Sequence, residues 1–265
     1  MKQHHQNNRS NHSRLSNRDS ILIGRNSIRE ILRFAPSRIK KVFLASVNSK
    51  DIDEIASELE GSGISIQFLS FDKLTEIAGS DSHQGVVAEL AERPAHNLKD
   101  VLKKLESQES SLLLMVDSIF DPHNFGAILR AAECLGADGV IYSRNRGCTV
   151  TAAVTKTSAG ASEIVPIIEV GNLANSLESA HDRGFFSVIA DVGEGCELLP
   201  KFTFPSHTLL IMGSEGEGIQ PLIKSKAHFR LTIPQFGQID SLNVSQATAV
   251  MLYAFRAQRG DRVST

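Results

Sequence analysis

Two stretches near the C-terminus decide how this chain folds: LLIMGSEGEGIQ (Leu209–Gln220) and FRLTIPQFGQIDSLNVSQ (Phe229–Gln246). Leu209–Met212 is a short apolar run that stops at a glycine. That pattern suits a buried parallel strand whose end a ligand can approach. Gly213, Gly216 and Gly218 let the backbone turn tightly and leave room for something packed against it. Phe229–Ile233 reads as a second such strand, closed by Pro234. Ser241 to Ser245 then offers capping side chains before a helix whose Ala247, Val250, Met251, Ala254 and Phe255 recur at helical spacing. Two strand ends and a helix start therefore converge on one expected pocket, as ligand sites do in open α/β sheets.

Charge narrows what that pocket binds. The glycines invite a phosphate reading, but the chain has no GxxxxGK[ST], and no GxGxxG follows a strand here. The loop carries Glu215 and Glu217 and no cation, which repels a polyphosphate and tolerates a positively charged ligand. Glu217 reads equally well as a solvated loop residue. Glu215, between two positions that constrain the backbone, reads as functional.

At 265 residues the chain can form one large or two modest domains. Its 41% hydrophobic and 22% charged residues are those of an ordinary soluble protein. No apolar run approaches a membrane span, and no apolar signal segment opens the chain. Cys134, Cys148 and Cys196 form no CxxC pair, so they read as reduced thiols in a cytoplasmic protein without a metal site. A net charge of −2 leaves no global footprint for nucleic acid. Between residues 21 and 50, however, seven basic side chains (Arg25, Arg29, Arg33, Arg38, Lys40, Lys41, Lys50) face one acid, Glu30. A local basic face is enough for RNA phosphates; a solvated helix face is the plainer reading of charge alone.

In order, residues 1–20 are polar and rich in Asn, His, Ser and Arg, the composition of a disordered tail. Residues 21–92 alternate helical and strand patterns, as in a small α/β domain. The helix at Gly24–Phe34 places Arg25, Arg29 and Arg33 four residues apart on one face. Residues 93–110 contain Pro94 and a charged run with Leu98, Val101, Leu102 and Leu105 spaced like a short helix; they read as the linker. Residues 111–265 form the second domain. It opens with a strand (Leu112–Val116), a loop ending at Asn124, a helix (Phe125–Leu135), Gly136 at its close and a strand (Gly139–Tyr142). Asn124 reads as a plain N-cap. Arg130 lies among Ala127, Ile128, Leu129, Ala131 and Ala132; buried it would need an anion such as a ribose-phosphate, and snorkelling to solvent it would mean nothing. A helix is expected over Thr149–Gly160, and strands and helices alternate thereafter, arguing for a mainly parallel sheet covered on both faces.

Taken together, DPHNFGAILRAAECLGADGV, IMGSEGEGI and IPQFGQIDSLNVSQATAVMLYAF, in this order and spacing, resemble the three motifs of the SPOUT superfamily, in its SpoU-type branch of RNA ribose 2′-O-methyltransferases. HQGVVAEL, at the end of the first domain, resembles the ribosomal-protein-like RNA-binding domain of the branch members that act on guanosine in large-subunit ribosomal RNA. The resemblance implies a C-terminal trefoil knot, which chain-topology rules alone would reject. It implies S-adenosylmethionine as cofactor, with Gly213, Ile233 and Leu242 holding it through backbone groups and Leu210, Met212, Pro234, Ser241 and Val244 as neighbours. It implies catalytic or RNA-facing roles for Asn124, Arg130, Glu215, Ser241, Asn243 and Ser245, and a homodimer packed through the knots. Within it, Arg130 grips the ribose-phosphate, Glu215 takes the proton or orients Arg130, and Asn124 positions the nucleotide. Gln235 and Ala254 depart from the family's usual residues. A guanosine ribose in 23S ribosomal RNA is the expected target, bound by Arg25, Arg29, Arg33, Arg38, Lys40 and Lys41. A tRNA ribose, or RNA binding without turnover as a ribosome-assembly factor, are the alternatives.

Overall fold

The structure is a computed structural model that describes residues 21–47, 49–214, 216–239 and 241–259. Along the chain come β1 (Ile21–Ile23), α1 (Arg25–Phe34), β2 (Ile39–Ala45), α2 (Lys50–Glu60), β3 (Ser65–Leu69), α3 (Phe71–Ala78) and β4 (Val86–Leu90). Then follow α4 (Leu98–Leu105), β5 (Ser111–Asp117), α5 (Pro122–Cys134), β6 (Gly139–Ser143), α6 (Ala152–Thr157), β7 (Ile167–Val170) and α7 (Leu173–His181). The last are β8 (Phe186–Ala190), β9 (Glu197–Leu198), β10 (His207–Gly213), α8 (Pro221–Lys226), β11 (Phe229–Thr232) and α9 (Val244–Arg259). They divide into two compact units. One comprises the described residues up to Pro94 plus Val150–Ile164; the other comprises Ala95–Thr149 and the described residues from Val165.

The first unit is built on a mixed sheet in the order β1-β4-β2-β3, with only β2 and β3 parallel. Ile28 and Ile31 of α1 and Ile52, Ile55 and Leu59 of α2 pack on Val42, Leu44, Val86 and Ala88, burying one sheet face. Leu74 of α3 covers Ile23, Ala45 and Val87 on the other. The stretch from Val150 belongs here despite following β6 in sequence. The helix expected over Thr149–Gly160 is cut to six residues, because Ala159 and Gly160 turn left-handed at φ 52° and 88°. Behind that turn Glu163, its side chain 2% exposed, receives Arg38 at 2.8 Å and Arg93. Burial lowers the pKa of Arg38, with Glu163 opposing the shift. Removing one partner of a buried pair strands the other, so Glu163→Ala is expected to destabilise this unit by about 3–5 kcal/mol in denaturant unfolding.

The second unit carries a seven-stranded sheet in the order β7-β6-β5-β10-β8-β11-β9, and every pairing is parallel. Central β5 is buried along its whole length, which is why SLLLMVD reads as a continuous apolar run rather than an alternation. Leu102 and Leu105 of α4 sit in the core with Leu113, Met115, Ile189, Leu209 and Ile211. The segment read as a linker is therefore a structural helix of this unit: the amphipathic spacing that suggested a helix also gave it a face to bury. Helix α5 ends in paired bonds from Gly136 N to Glu133 O and from Ala137 N to Ala132 O, with Gly136 left-handed at φ 67°. Arg256 of α9 donates to Leu135 O at 3.0 Å and to Gly136 O, locking α9 across the end of α5.

Near the start of β8, buried Ser187 holds two histidines. Its hydroxyl meets His181 Nε2 at 2.9 Å, and its amide donates to His228 Nδ1 at 3.1 Å. The His181 and His228 rings lie 4.2 Å apart. Burial first, and His228 second, lower the His181 pKa below 6.5, against the opposing pull of Asp182 and Glu178; Lys226 adds to the lowering. The folded state thus binds this proton less readily than the unfolded chain does. Its contribution is complete above the unfolded value near 6.5 and drains away as pH falls through that value towards the lower folded one. The melting temperature should therefore drop between pH 7.5 and 5.5, and His181→Gln should flatten that slope.

Candidate active site

The C-terminal ends of β8, β10 and β11 open onto a cleft of about 390 Å³. Gly213 closes β10 on its floor. A Cβ there would fall 2.4 Å from the Gly218 carbonyl carbon and 2.6 Å from Ile219 N, so the returning loop can cross only over a glycine. Ser214 and Gly218 close that loop by exchanging backbone hydrogen bonds at 3.1 and 3.2 Å. Met212, Gly213, Ile233, Ser241, Leu242 and Val244 line the cleft. Leu210 does not; it is wholly buried in β10 beneath it, and Pro234 also lies off the lining. Glu215 lies outside the described residues, and Glu217 is an exposed side chain on the cleft wall.

Two charged side chains that line the cleft, Asp191 and Lys224, escaped sequence reasoning. Asp191, just past β8, is gripped by Lys224 at 2.6 Å and by Arg230 at 2.7 Å. Burial works against the Asp191 charge, but the hydrogen bonds from Lys224, Arg230 and the Val192 amide hold its pKa below the usual range. The glycine loop itself has no cation, yet Lys224 from α8 reaches the cleft wall, its charge met by Asp191.

The segment before α9 points two ways. Ser241, Leu242 and Val244 face the cleft, whereas Asn243 turns away and donates from Nδ2 to Asn124 Oδ1 at 2.9 Å. Asn243 Oδ1 in turn accepts from the Ser245 amide at 2.8 Å and its hydroxyl at 2.6 Å, capping α9. Asn124 is not an N-cap. That place belongs to Asp121, whose carboxylate accepts from His123 N at 3.1 Å and Asn124 N at 3.2 Å, with Pro122 at the first helical position. Relieved of capping, the Asn124 side chain is available to the site. Arg130, six residues further along α5, is exposed and forms no ion pair with a described residue.

In the first unit the basic stretch is largely neutralised. Arg25 pairs with Asp51, Arg29 with Glu54 at 3.5 Å and Glu58 at 3.2 Å, and Arg38 is buried on Glu163. The acidic row of α2 lies along the arginines of α1, so Arg25, Arg29 and Arg38 do not form the free cationic face read from the sequence. Arg33 lies over the Phe34 ring and Lys41 over Phe43; they and exposed Lys40 make no ion pair with a described residue.

The cleft suits S-adenosylmethionine. Its volume falls in the range of small-molecule sites, its glycine floor admits close approach, and the acidic Glu217 tolerates a cationic ligand. Residues 111–253 match the model of the SpoU rRNA methylase family, and residues 21–95 match the RNA 2′-O ribose methyltransferase substrate-binding model. The 23S rRNA (guanosine-2′-O-)-methyltransferase RlmB of Pasteurella multocida is 34% identical, over 90% of this chain and 98% of its own length. The SpoU methyltransferase AviRb of Streptomyces viridochromogenes, solved with AdoMet, superposes with a TM-score of 0.75 at 23% identity, over 96% of this chain and 94% of its own. The TrmH/SpoU tRNA-modifying enzyme of A. aeolicus matches at 28% identity and TM-score 0.52, over 62% of this chain and 82% of its own. The chain belongs to the SpoU rRNA methylase family.

Proposed function

We propose that this protein methylates the 2′-oxygen of a guanosine ribose in 23S ribosomal RNA, using S-adenosylmethionine. The observation that carries the reading is the divided segment before α9, which lines the cofactor cleft with Ser241, Leu242 and Val244 while aiming Asn243 at Asn124. Bound in the cleft, the cofactor supplies an electrophilic methyl group. The chain's own task is to place a ribose hydroxyl and manage its proton. The Asn124–Asn243 pair orients the nucleotide, and Ser241 sits at the cleft edge beside it in sequence. Arg130 stabilises negative charge growing on the 2′-oxygen and grips the adjoining phosphate; a guanidinium stays protonated and is no base. Glu215, in the loop that follows Gly213, is the carboxylate assigned to the proton.

A second copy of the chain completes the assembly in this reading. Val250 and Tyr253, one turn apart on α9, are exposed, as are Phe236 and Ile239 just before it. Such apolar residues suit a symmetric interface. A trefoil knot in the C-terminal unit belongs to the same reading, carried by the motif resemblance, and the free cysteines are read as the reduced thiols of a cytoplasmic protein. Among the described residues, no helix is long and apolar enough to cross a membrane.

Ribosomal RNA is favoured over tRNA because the RlmB relative is matched along nearly its whole length, while the tRNA-modifying structure covers only 62% of this chain. Among the six cations assigned to RNA, Arg33, Lys40 and Lys41 make no ion pair with a described residue and are the ones proposed to meet phosphates. Lys40→Glu with Lys41→Glu should weaken RNA binding and reduce its salt dependence by about one unit of slope per lost contact. Arg29→Glu should act mainly on stability. Methyl incorporation into unmodified 23S RNA and not tRNA is the expected result; incorporation into tRNA alone would overturn the substrate assignment.

A further inference from the structure

The mechanism leaves one fully buried carboxylate unused. Asp117 ends β5 with its side chain 0% exposed, at the root of the loop that leads to α5. Four polar groups surround it. The Gln220 amide donates to Oδ2 at 2.8 Å, Gln220 Nε2 donates to Oδ1 at 2.8 Å, and Ser118 Oγ donates to Oδ1 at 3.0 Å. The half-exposed Arg146 guanidinium lies 3.9 Å away and donates to Ser118 Oγ at 3.4 Å.

Those partners belong to three separate loops. Gly213, the last residue before the cleft loop, is the strand partner of Asp117 in the β10–β5 register. Gln220, the first residue after that loop, is its hydrogen-bond partner. The loop 214–219 thus leaves from Asp117 and returns to it, closed like a noose. On the other side Ser118 turns left-handed at φ 60° to start the loop towards Asp121 and Asn124. Ser118 N bonds Arg146 O and Cys148 N bonds Ile119 O at 2.7 Å, which ties in the third loop.

We propose that Asp117 is a positioning residue: its paired bonds to Gln220 fix the loop that walls the cofactor cleft to the root of the helix carrying Asn124. A carboxylate is suited to this because it offers two acceptors in one plane, one for a backbone and one for a side-chain donor. Losing it leaves both Gln220 donors without their partner in a part-buried setting. This role rests on the cofactor assignment above.

The test is calorimetric binding of S-adenosylmethionine, with kcat, KM and melting temperature measured in parallel. Asp117→Ala should raise the cofactor Kd about tenfold to a hundredfold, and Gln220→Ala about threefold to tenfold. Asp117→Asn should stay within about threefold, because the Gln220 amide can turn over to accept from the new Nδ2 while its backbone N–H keeps an oxygen. Rescue by asparagine separates a hydrogen-bonding latch from a catalytic charge, and a purely structural role would lower the melting temperature without moving Kd. If Asp117→Ala fails to fold, Gln220→Ala carries the test alone. Unchanged cofactor affinity in both alanine variants would overturn the latch, as would an asparagine variant as impaired as the alanine. Wild-type protein that binds no cofactor would instead overturn the cofactor assignment and the latch with it.

Discussion

Gly213→Ala is expected to cost the protein its cofactor while leaving the rest of the fold in place. The new Cβ would sit 2.4 Å from the carbonyl carbon of Gly218 and 2.5 Å from its oxygen, both backbone atoms. No side chain can rotate to relieve that overlap, so the loop 214–218 must lift. It carries Ser214, Gly216, Glu217 and Gly218 along the cleft wall, so lifting it deforms the site directly. Overpacking of this kind costs about 1–3 kcal/mol. If that cost falls on the liganded conformation, cofactor affinity drops about tenfold to a hundredfold. Gly171→Ala, where the added carbon meets nothing within 4 Å, is the matched control and should bind as wild type. Calorimetry with S-adenosylmethionine decides: equal affinity in Gly213→Ala would mean that the loop crossing does not shape the cleft.

Arg130→Ala should do the reverse, keeping the cofactor and losing the reaction. Arg130 is exposed on α5 and does not line the cleft, so its removal should leave stability and cofactor affinity nearly unchanged. In the role proposed for it, stabilising charge that develops on the ribose oxygen, its removal should lower kcat about a hundredfold to a thousandfold. Arg130→Lys should restore little, because an ammonium cannot reproduce the planar, two-pronged grip on a phosphate. Single-turnover methyl transfer at saturating cofactor measures this without interference from binding. Full activity in Arg130→Ala would remove the residue from the reaction.

The cleft was readable in the sequence because its makers are local. A run of apolar residues that halts at glycine, and a polar cluster ahead of a helical repeat, announce a strand end and a helix start by themselves. What failed was of two kinds. The N-cap went to Asp121 and not Asn124 because Pro122, with its fixed φ and missing N–H, is best placed at the first helical position, which makes its predecessor the cap. That clue was present in Asp-Pro. The Asn124–Asn243 bond, by contrast, joins residues 119 apart in sequence and has no local trace.

The basic stretch shows the same divide. Arg25 and Arg29 are visible in α1, and Asp51, Glu54 and Glu58 in α2, but only the packing of both helices on one sheet face brings the two rows together. Likewise Lys224 meets Asp191 because α8 and β8 converge at the cleft. The helix Leu98–Leu105 was legible as a helix from its spacing; that its apolar face belongs to the core of the second unit follows only from the fold.

The central claim is that the methyl group ends on a ribose oxygen of guanosine in 23S ribosomal RNA. The most direct measurement transfers labelled methyl from S-adenosylmethionine to ribosomal RNA lacking the modification, then digests the RNA to nucleosides and identifies the labelled one by mass. The expected result is label in 2′-O-methylguanosine, with the added mass on the sugar. Label on a base, or none in RNA although the cofactor binds, would contradict it.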